Sequence, residues 1–345
     1  MSHYYLLRSR SERLALAFHR TTSWRVMCLL CILAFAVLGY LCLGSTLLTP
    51  PQVIQAIIAP SDSDHGFTVY TLRLPRALLA MEVGAALGIS GVILQQVVRN
   101  PLASPDIIGI SDGAAFGAVL FLAIFAGVIS IHWLPVFALT GAGLTALLIY
   151  ALARNNGIIP IRLVLVGIAI AAALKAVATL TIVMSDLNTT VSTYVWLTGS
   201  LYGAQWQDVI GMLPWLIILL PLSIVMARPL ALMGMNDQQA LGLGAAVNRN
   251  RLLLLAGSVA LAGSAVAFAG GIGFVGLIAP HLARGICGQT MPGRILGSGL
   301  TGALIVLVAD LIGRIGFLPQ DLPAGIFVSA IGAPFFIYLL YRRRR

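Results

Sequence analysis

The chain has 345 residues, of which 59% are hydrophobic and 9% charged, where a soluble domain carries roughly 25% charged side chains. So little polar surface cannot cover a soluble core, so the composition excludes a soluble globular fold and gives an all-α integral membrane protein. The net charge of +10 does not make it a nucleic-acid binder. Its arginines are scattered over the ends of apolar runs, where membrane insertion and anionic headgroups account for them.

Residues 1–24 read as a cytoplasmic N-terminal segment. Arg8, Arg10, Arg13, Arg20 and Arg25 precede an apolar stretch, Val26 to Leu43, that resembles a signal peptide. It is about 18 residues long, longer than a usual h-region, and no clean A-x-A site follows it, so it reads as a retained first span. Ten apolar runs suit membrane helices, at residues 25–45, 76–97, 108–130, 133–153, 160–184, 208–227, 251–271, 275–288, 295–313 and 323–341. They form one transmembrane domain within residues 1–345, with 342–345 as a cytoplasmic tail.

Twenty of the 21 basic residues are arginine. Seventeen fall in gaps on one side of the ten-span order, which the Lys/Arg-rich-loop rule makes cytoplasmic, with both termini there. Arg73, Arg76 and Arg314 have the opposite parity. Read from the residues alone, these three could snorkel to headgroups or cap helix ends. The one lysine, Lys175, lies inside an apolar run, as does Glu82. An unpaired charge in hydrocarbon is costly, so the expectation is that Lys175 and Glu82 pair across spans five and two; a proton relay is the rival.

Glycines recur four residues apart at Gly84/Gly88, Gly109/Gly113/Gly117 and Gly199/Gly203, the spacing of closely packed membrane helices. Cys28 and Cys31 imitate a redox C-x-x-C, but they sit in an apolar helix. There, and at Cys42 and Cys287, cysteine acts as a small hydrophobe. His281 has no second ligand at metal spacing. No metal or cofactor is expected, and the chain has no Gly-x-x-x-x-Gly-Lys-[Ser/Thr] loop to cradle ATP phosphates.

Three stretches are more specific. Arg73-Leu74-Pro75-Arg76 enters span two, followed by Gly84, Gly91, Gln95 and the segment Arg99 to Gly109. Pro101 and Pro105 there forbid a continuous helix, and Asp106 suits the N-terminus of span three. Gly270 to Arg284 is a Gly-rich turn entering a short span. Ala309 to Arg314 is followed by Asp321 to Gly325 and Gly332 to Phe336.

Together these resemble the FecCD-like permeases of ATP-binding-cassette importers for iron-siderophores and cobalamin, from about residue 70 to the C-terminus. The resemblance implies a BtuC-like type II importer permease of ten spans in the inner membrane. A second permease subunit, identical or a paralogue, would flank a central path. Two cytoplasmic ATPases and a periplasmic or lipoprotein substrate-binding protein would complete the assembly. It implies that Arg73, Arg76 and Arg314 face carboxylates of the binding protein. It also implies that Ala240, Leu241, Gly242 and Leu243, within Met233 to Ala246, dock on the ATPase. Ser185, Asn188, Thr189 and Thr193 would line the outer mouth. Cys287 to Gly293 departs from the basic cluster common in relatives, and Asp321 stands where many have Glu. The expected cargo is a ferric siderophore, ahead of cobalamin or haem, and catalysis of ATP hydrolysis lies on partner chains. The runner-up is an ion-coupled secondary transporter, for which Lys175 and Glu82 are the available midplane charges. An intramembrane enzyme lacks any Ser/His or paired-carboxylate constellation.

Overall fold

The computed structural model describes residues 4–8, 15–125, 128–154, 160–288 and 290–342. The N-terminal segment forms an antiparallel hairpin of β1 (Tyr4–Arg8) and β2 (Ala15–His19), with Tyr4 opposite His19 and Arg8 opposite Ala15. Everything else is helical apart from turns. Helix α1 (Arg20–Cys42) starts five residues before the expected span. Helix α2 (Pro50–Ile58) opens with two prolines, which need no intrahelical donor there, and its Thr49 backbone N–H donates to Gln52 Oε1 at 2.8 Å. A π-helical stretch, Phe67–Arg73, runs straight into α3 (Leu74–Val98).

Helix α3 ends where Arg99 turns left-handed, at φ 58°. A one-turn helix α4 (Pro105–Ile108) then leads into α5 (Ile110–Phe125). The remaining elements are α6 (Leu134–Ala153), α7 (Pro160–Val183), α8 (Leu187–Leu197), α9 (Trp206–Val225), α10 (Ala227–Met233) and α11 (Asp237–Gly242). They are followed by α12 (Val247–Ala269), α13 (Val275–Ile286), α14 (Met291–Ile315) and α15 (Ala324–Arg342).

Helices α1, α3, α5, α6, α7, α9, α12, α13, α14 and α15 occupy the ten expected intervals in order. Seven stretches among the described residues are long and apolar enough to cross a membrane unaided. Helix α5 has 16 residues and α13 has 12, below the ~20 of a free-standing span. Both follow a broken segment, α4 before one and Gly270 to Phe274 before the other. Irregular backbone at membrane depth is tolerated where protein surrounds it.

Helix α3 is the most enclosed span, and glycine explains how. A Cβ on Gly84 would lie 2.3 Å from Gly302 O, one on Gly88 2.1 Å from Ser298 O, and one on Gly91 2.0 Å from Gly276 O. The backbones of α3, α13 and α14 therefore touch directly, which substitutes for the hydrophobic drive that lipid cannot give. Gly113 and Gly117 bring α5 equally close to Phe137 and Gly141 of α6. The third expected glycine pair is different in kind. Gly199 and Gly203 lie beyond the end of α8 with φ +77° and +75°. They are turn glycines, required for a backbone that L-residues avoid, and not part of a helix seam.

Candidate functional site

Arg73 and Arg99 flank α3 at its two ends, ~37 Å apart along a 25-residue helix, and a charged cluster forms around each. At the first end the order follows from the helix termini. The last carbonyls of α1 have no intrahelical donors, and α1 has no basic residue in its last turn. Arg73 and Arg314 supply what is missing. Arg73 donates from Nη1 to Leu41 O at 2.7 Å and from Nη2 to Thr46 O and Oγ1 at 2.7 and 2.8 Å. Arg314 donates from Nη2 to Tyr40 O and Leu43 O at 2.7 and 2.6 Å, and its guanidinium lies 4.1 Å above the Tyr40 ring. Cationic groups at a helix C-terminus also meet its negative dipole end.

Arg76 is buried as well, at 7% exposure. It donates to Asp310 from Nε and Nη2, both at 2.8 Å, and to Asp321 from Nη1 at 2.5 Å and Nη2 at 2.8 Å. Four of the five guanidinium N–H groups are thereby engaged in two forks. Tyr40 Oη donates to Asp310 Oδ2 at 2.5 Å. One buried carboxylate thus ties α1, α3 and α14 together. Three arginines against two aspartates leave one excess positive charge. The three arginines with opposite parity therefore converge on one open cavity of about 850 Å³, which Tyr202, Trp206 and Asp321 also line. Their bonds run to partners within the chain. Tyr40 and Asp310, which organise the cluster, carried no sign of this in the sequence beyond Asp310's place in the third motif.

At the other end of α3, Arg99 donates from Nε to Met233 O at 2.8 Å and from Nη2 to Asp237 Oδ1. Arg251, 1% exposed, donates from Nη2 to the same oxygen at 2.8 Å. Burial raises the Asp237 carboxyl, but the Arg99 and Arg251 hydrogen bonds outweigh it and hold the group below the usual carboxylate range. The short helix α11 is braced in this way against α3 and α12. Its Ala240 is fully buried, while Leu241 and Leu243 stand 59% and 63% exposed and Gly242 is open.

The polar residues before and on α8 are less exposed than a lining requires on its own. Ser185 Oγ donates to Thr181 O at 2.8 Å, and the buried Thr193 donates from Oγ1 to Thr189 O at 2.6 Å. Asn188 lies on the same helix, its side chain outside the described residues. Beyond α8 the turn at Gly199 packs on Gly271 and Ile272, and Gly199 O accepts from Gly325 N at 3.0 Å.

The first two motifs meet at Asp106. Its Oδ1 accepts from Ser111 Oγ at 2.7 Å, and its Oδ2 accepts from Phe274 N at 3.1 Å. That second bond caps α13, where Phe274 is held at φ 66°. The third motif contributes Gly332, where a Cβ would lie 2.5 Å from the Phe274 side chain. His281 packs edge-on to Phe335, with ring centroids 5.5 Å apart.

One expectation is corrected. Lys175 reaches Asp112 at 3.6 Å, not Glu82. Helix α7 packs on α5, which carries Asp112, whereas Glu82 is buried on α3 and its Oε2 has no hydrogen-bond partner among the described residues.

Residues 31–342 match the FecCD transport family. The chain is 45% identical over 335 residues to the achromobactin transport system permease protein CbrC of Dickeya dadantii, covering 97% of this chain and 96% of that one. It is 40% identical over 306 residues to the iron(3+)-hydroxamate import system permease protein FhuG of Bacillus subtilis, covering 87% and 91%. A solved structure described as an inward-facing conformation of a metal-chelate type ABC transporter superposes with a TM-score of 0.83 at 29% identity, covering 93% and 99%. Nine of the ten helices, the second half of α1, the glycine seams and the three joined motifs lie within the matched span, and the chain belongs to the FecCD transport family.

Proposed function

We propose that this chain is the permease subunit of an ATP-driven importer that moves a ferric siderophore across the inner membrane by alternating access. Family membership over residues 31–342 carries the reading, and relatives named for achromobactin and iron-hydroxamate transport support the cargo class. The partners are a second permease subunit, two cytoplasmic ATPases that hydrolyse ATP, and a substrate-binding protein outside. Both termini are cytoplasmic, as the arginine asymmetry requires.

Each partner has a suitable surface. Leu241 and Leu243, exposed beside buried Ala240 and open Gly242, are apolar knobs for a groove on the ATPase. The brace from Asp237 to Arg99 and Arg251 would pass its movement to α3 and α12. The cavity bearing Arg73, Arg76 and Arg314 is the binding-protein face. Within it Arg314 is the most exposed of the three, and Arg76 acts as the scaffold that Asp310 and Asp321 hold. Ser185, Asn188, Thr189 and Thr193 close the outer mouth.

The test is uptake of a radio-iron siderophore by proteoliposomes holding the assembled transporter. Uptake should require ATP inside the partner ATPases and cease when their phosphate-loop lysine is replaced. Uptake driven by an ion gradient without ATP hydrolysis would overturn the reading and favour a secondary transporter.

A further inference from the structure

We propose that Lys175, with Asp112, forms an anion-recognition point within the import path, meeting a carboxylate or other anionic oxygen of the cargo. The inference rests on the importer reading above and gives that path a substrate chemistry. Lys175 is the chain's one lysine. It lies 15 residues along α7 from Pro160, or ~22 Å at 1.5 Å per residue, which is inside a hydrocarbon layer about 30 Å thick. No other charged residue lies between Arg162 and Asp186. Yet the Lys175 side chain is 75% exposed, and Asp112 is 21% exposed. An ammonium facing lipid at this depth is costly, so this edge of α7 belongs against water or protein.

A second observation favours water and a ligand. Thr179, one turn outward on the same strip, is exposed, and its Oγ1 donates to Lys175 O at 2.8 Å. Thr181 lies farther along α7 on another face, Ser185 beyond its end, and Thr189 and Thr190 on α8. Lys175 and Thr179, about 40° apart around the helix, make this exposed edge of α7 polar. The contact with Asp112, at 3.6 Å, is longer than a hydrogen bond. Of the three ammonium donors, it leaves some for an incoming acceptor. A compact cation of this kind attracts anionic oxygen and offers nothing to a neutral or cationic chelate.

Two measurements on the full transporter in proteoliposomes decide the matter. First, Lys175→Cys, with Cys28, Cys31, Cys42 and Cys287 replaced by Ser, is exposed to a membrane-impermeant charged thiosulfonate. Labelling is expected; a protected thiol, or a disulfide formed between two permease subunits, would overturn the proposal whatever the cargo. Second, uptake of anionic ferric citrate is compared with that of a cationic ferric trihydroxamate. For Lys175→Met, the KM for the anionic probe should rise about ten-fold or more, the scale of one charge-assisted contact. The KM for the cationic probe should not rise, and Lys175→Arg should restore most of the loss. Equal effects on both probes, or none, would overturn it. Loss of ATP-driven uptake by the unaltered chain would instead count against the importer reading, while the labelling result still stands.

Discussion

Arg76 and Asp310 meet through two parallel hydrogen bonds of 2.8 Å, and the Asp310 side chain is completely buried. This pair joins the start of α3 to the C-terminal part of α14, and Tyr40 adds α1 to the same carboxylate. Breaking a buried pair by removing one member typically costs about 3–5 kcal/mol, because the other charge stays behind. Arg76→Ala and Asp310→Ala should therefore each lower the thermal unfolding midpoint in detergent sharply. The double replacement Arg76→Met with Asp310→Leu should recover part of the loss. A wild-type midpoint in Arg76→Ala would show that the arginine serves only an external partner.

Arg73 and Arg314 allow a separate prediction, because they meet neutral carbonyls and not carboxylates. Each Arg→Ala change uncaps the end of α1 and removes hydrogen bonds from a charged donor, worth about 1.5–3 kcal/mol apiece at most, so a moderate loss of stability is expected. Docking has another signature. Arg314→Gln should keep the fold near native, while Arg314→Glu should weaken binding-protein association, most strongly at low salt, since the attraction is Coulombic. Equal affinity for Gln, Glu and Arg at position 314, measured at two ionic strengths, would confine this residue to capping α1.

What could be read from the sequence followed from periodic or additive signals. Ten apolar runs gave ten helices, because hydrocarbon accepts little else. Gly84 and Gly88 revealed a seam, since small residues four apart fall on one helix face. Pairings between distant segments carry no such signal. Lys175 and Glu82 are both isolated charges in the sequence, but the packing of α7 on α5 selects Asp112 as the partner of Lys175. Arg73, Arg76 and Arg314 stand out by parity, yet nothing local announces that Arg76 would find Asp310, 234 residues away. Gly199 and Gly203 had the spacing of a seam and proved to be turns, as spacing alone does not reveal φ. The N-terminal hairpin was hidden for the same reason, in a segment read by its charge.

The glycine seam predicts a contrast between substitutions of equal size. Gly91→Ala would put a methyl 2.0 Å from Gly276 O, backbone that cannot rotate away. Helices α3 and α13 must then separate, and a lower unfolding midpoint and lower yield of folded protein are expected. Gly257→Ala on α12 meets nothing within 4 Å and should leave both near wild type. If Gly91→Ala behaved like Gly257→Ala under the same thermal scan, the direct backbone contact between α3 and α13 would be wrong.

Asp237 gives the Arg99 end of α3 its own pH dependence. Its carboxyl is held below the usual carboxylate range, since two arginine hydrogen bonds outweigh burial. A group whose folded pKa is depressed contributes stability above its unfolded pKa, near 4, and loses that contribution as pH falls through the lower folded value. The brace of α11 should therefore be intact at neutral pH and loosen only under acid conditions. Asp237→Asn should produce the loosened state at pH 7, visible as faster hydrogen exchange confined to α10 and α11. The carboxylate is 40% exposed, so the effect on global unfolding should be small. Leu241→Asp makes the complementary change. It places a charge on an already exposed side chain and leaves Asp237, Arg99 and Arg251 in place, so exchange in α11 should stay as in the unaltered chain. Association with the ATPase should nevertheless fail, because an apolar contact is replaced by a hydrated carboxylate. If Leu241→Asp left cargo-stimulated ATP hydrolysis intact, α11 would not be the contact, whereas a loss with Asp237→Asn alone would make the brace, and not the exposed leucines, the part that matters.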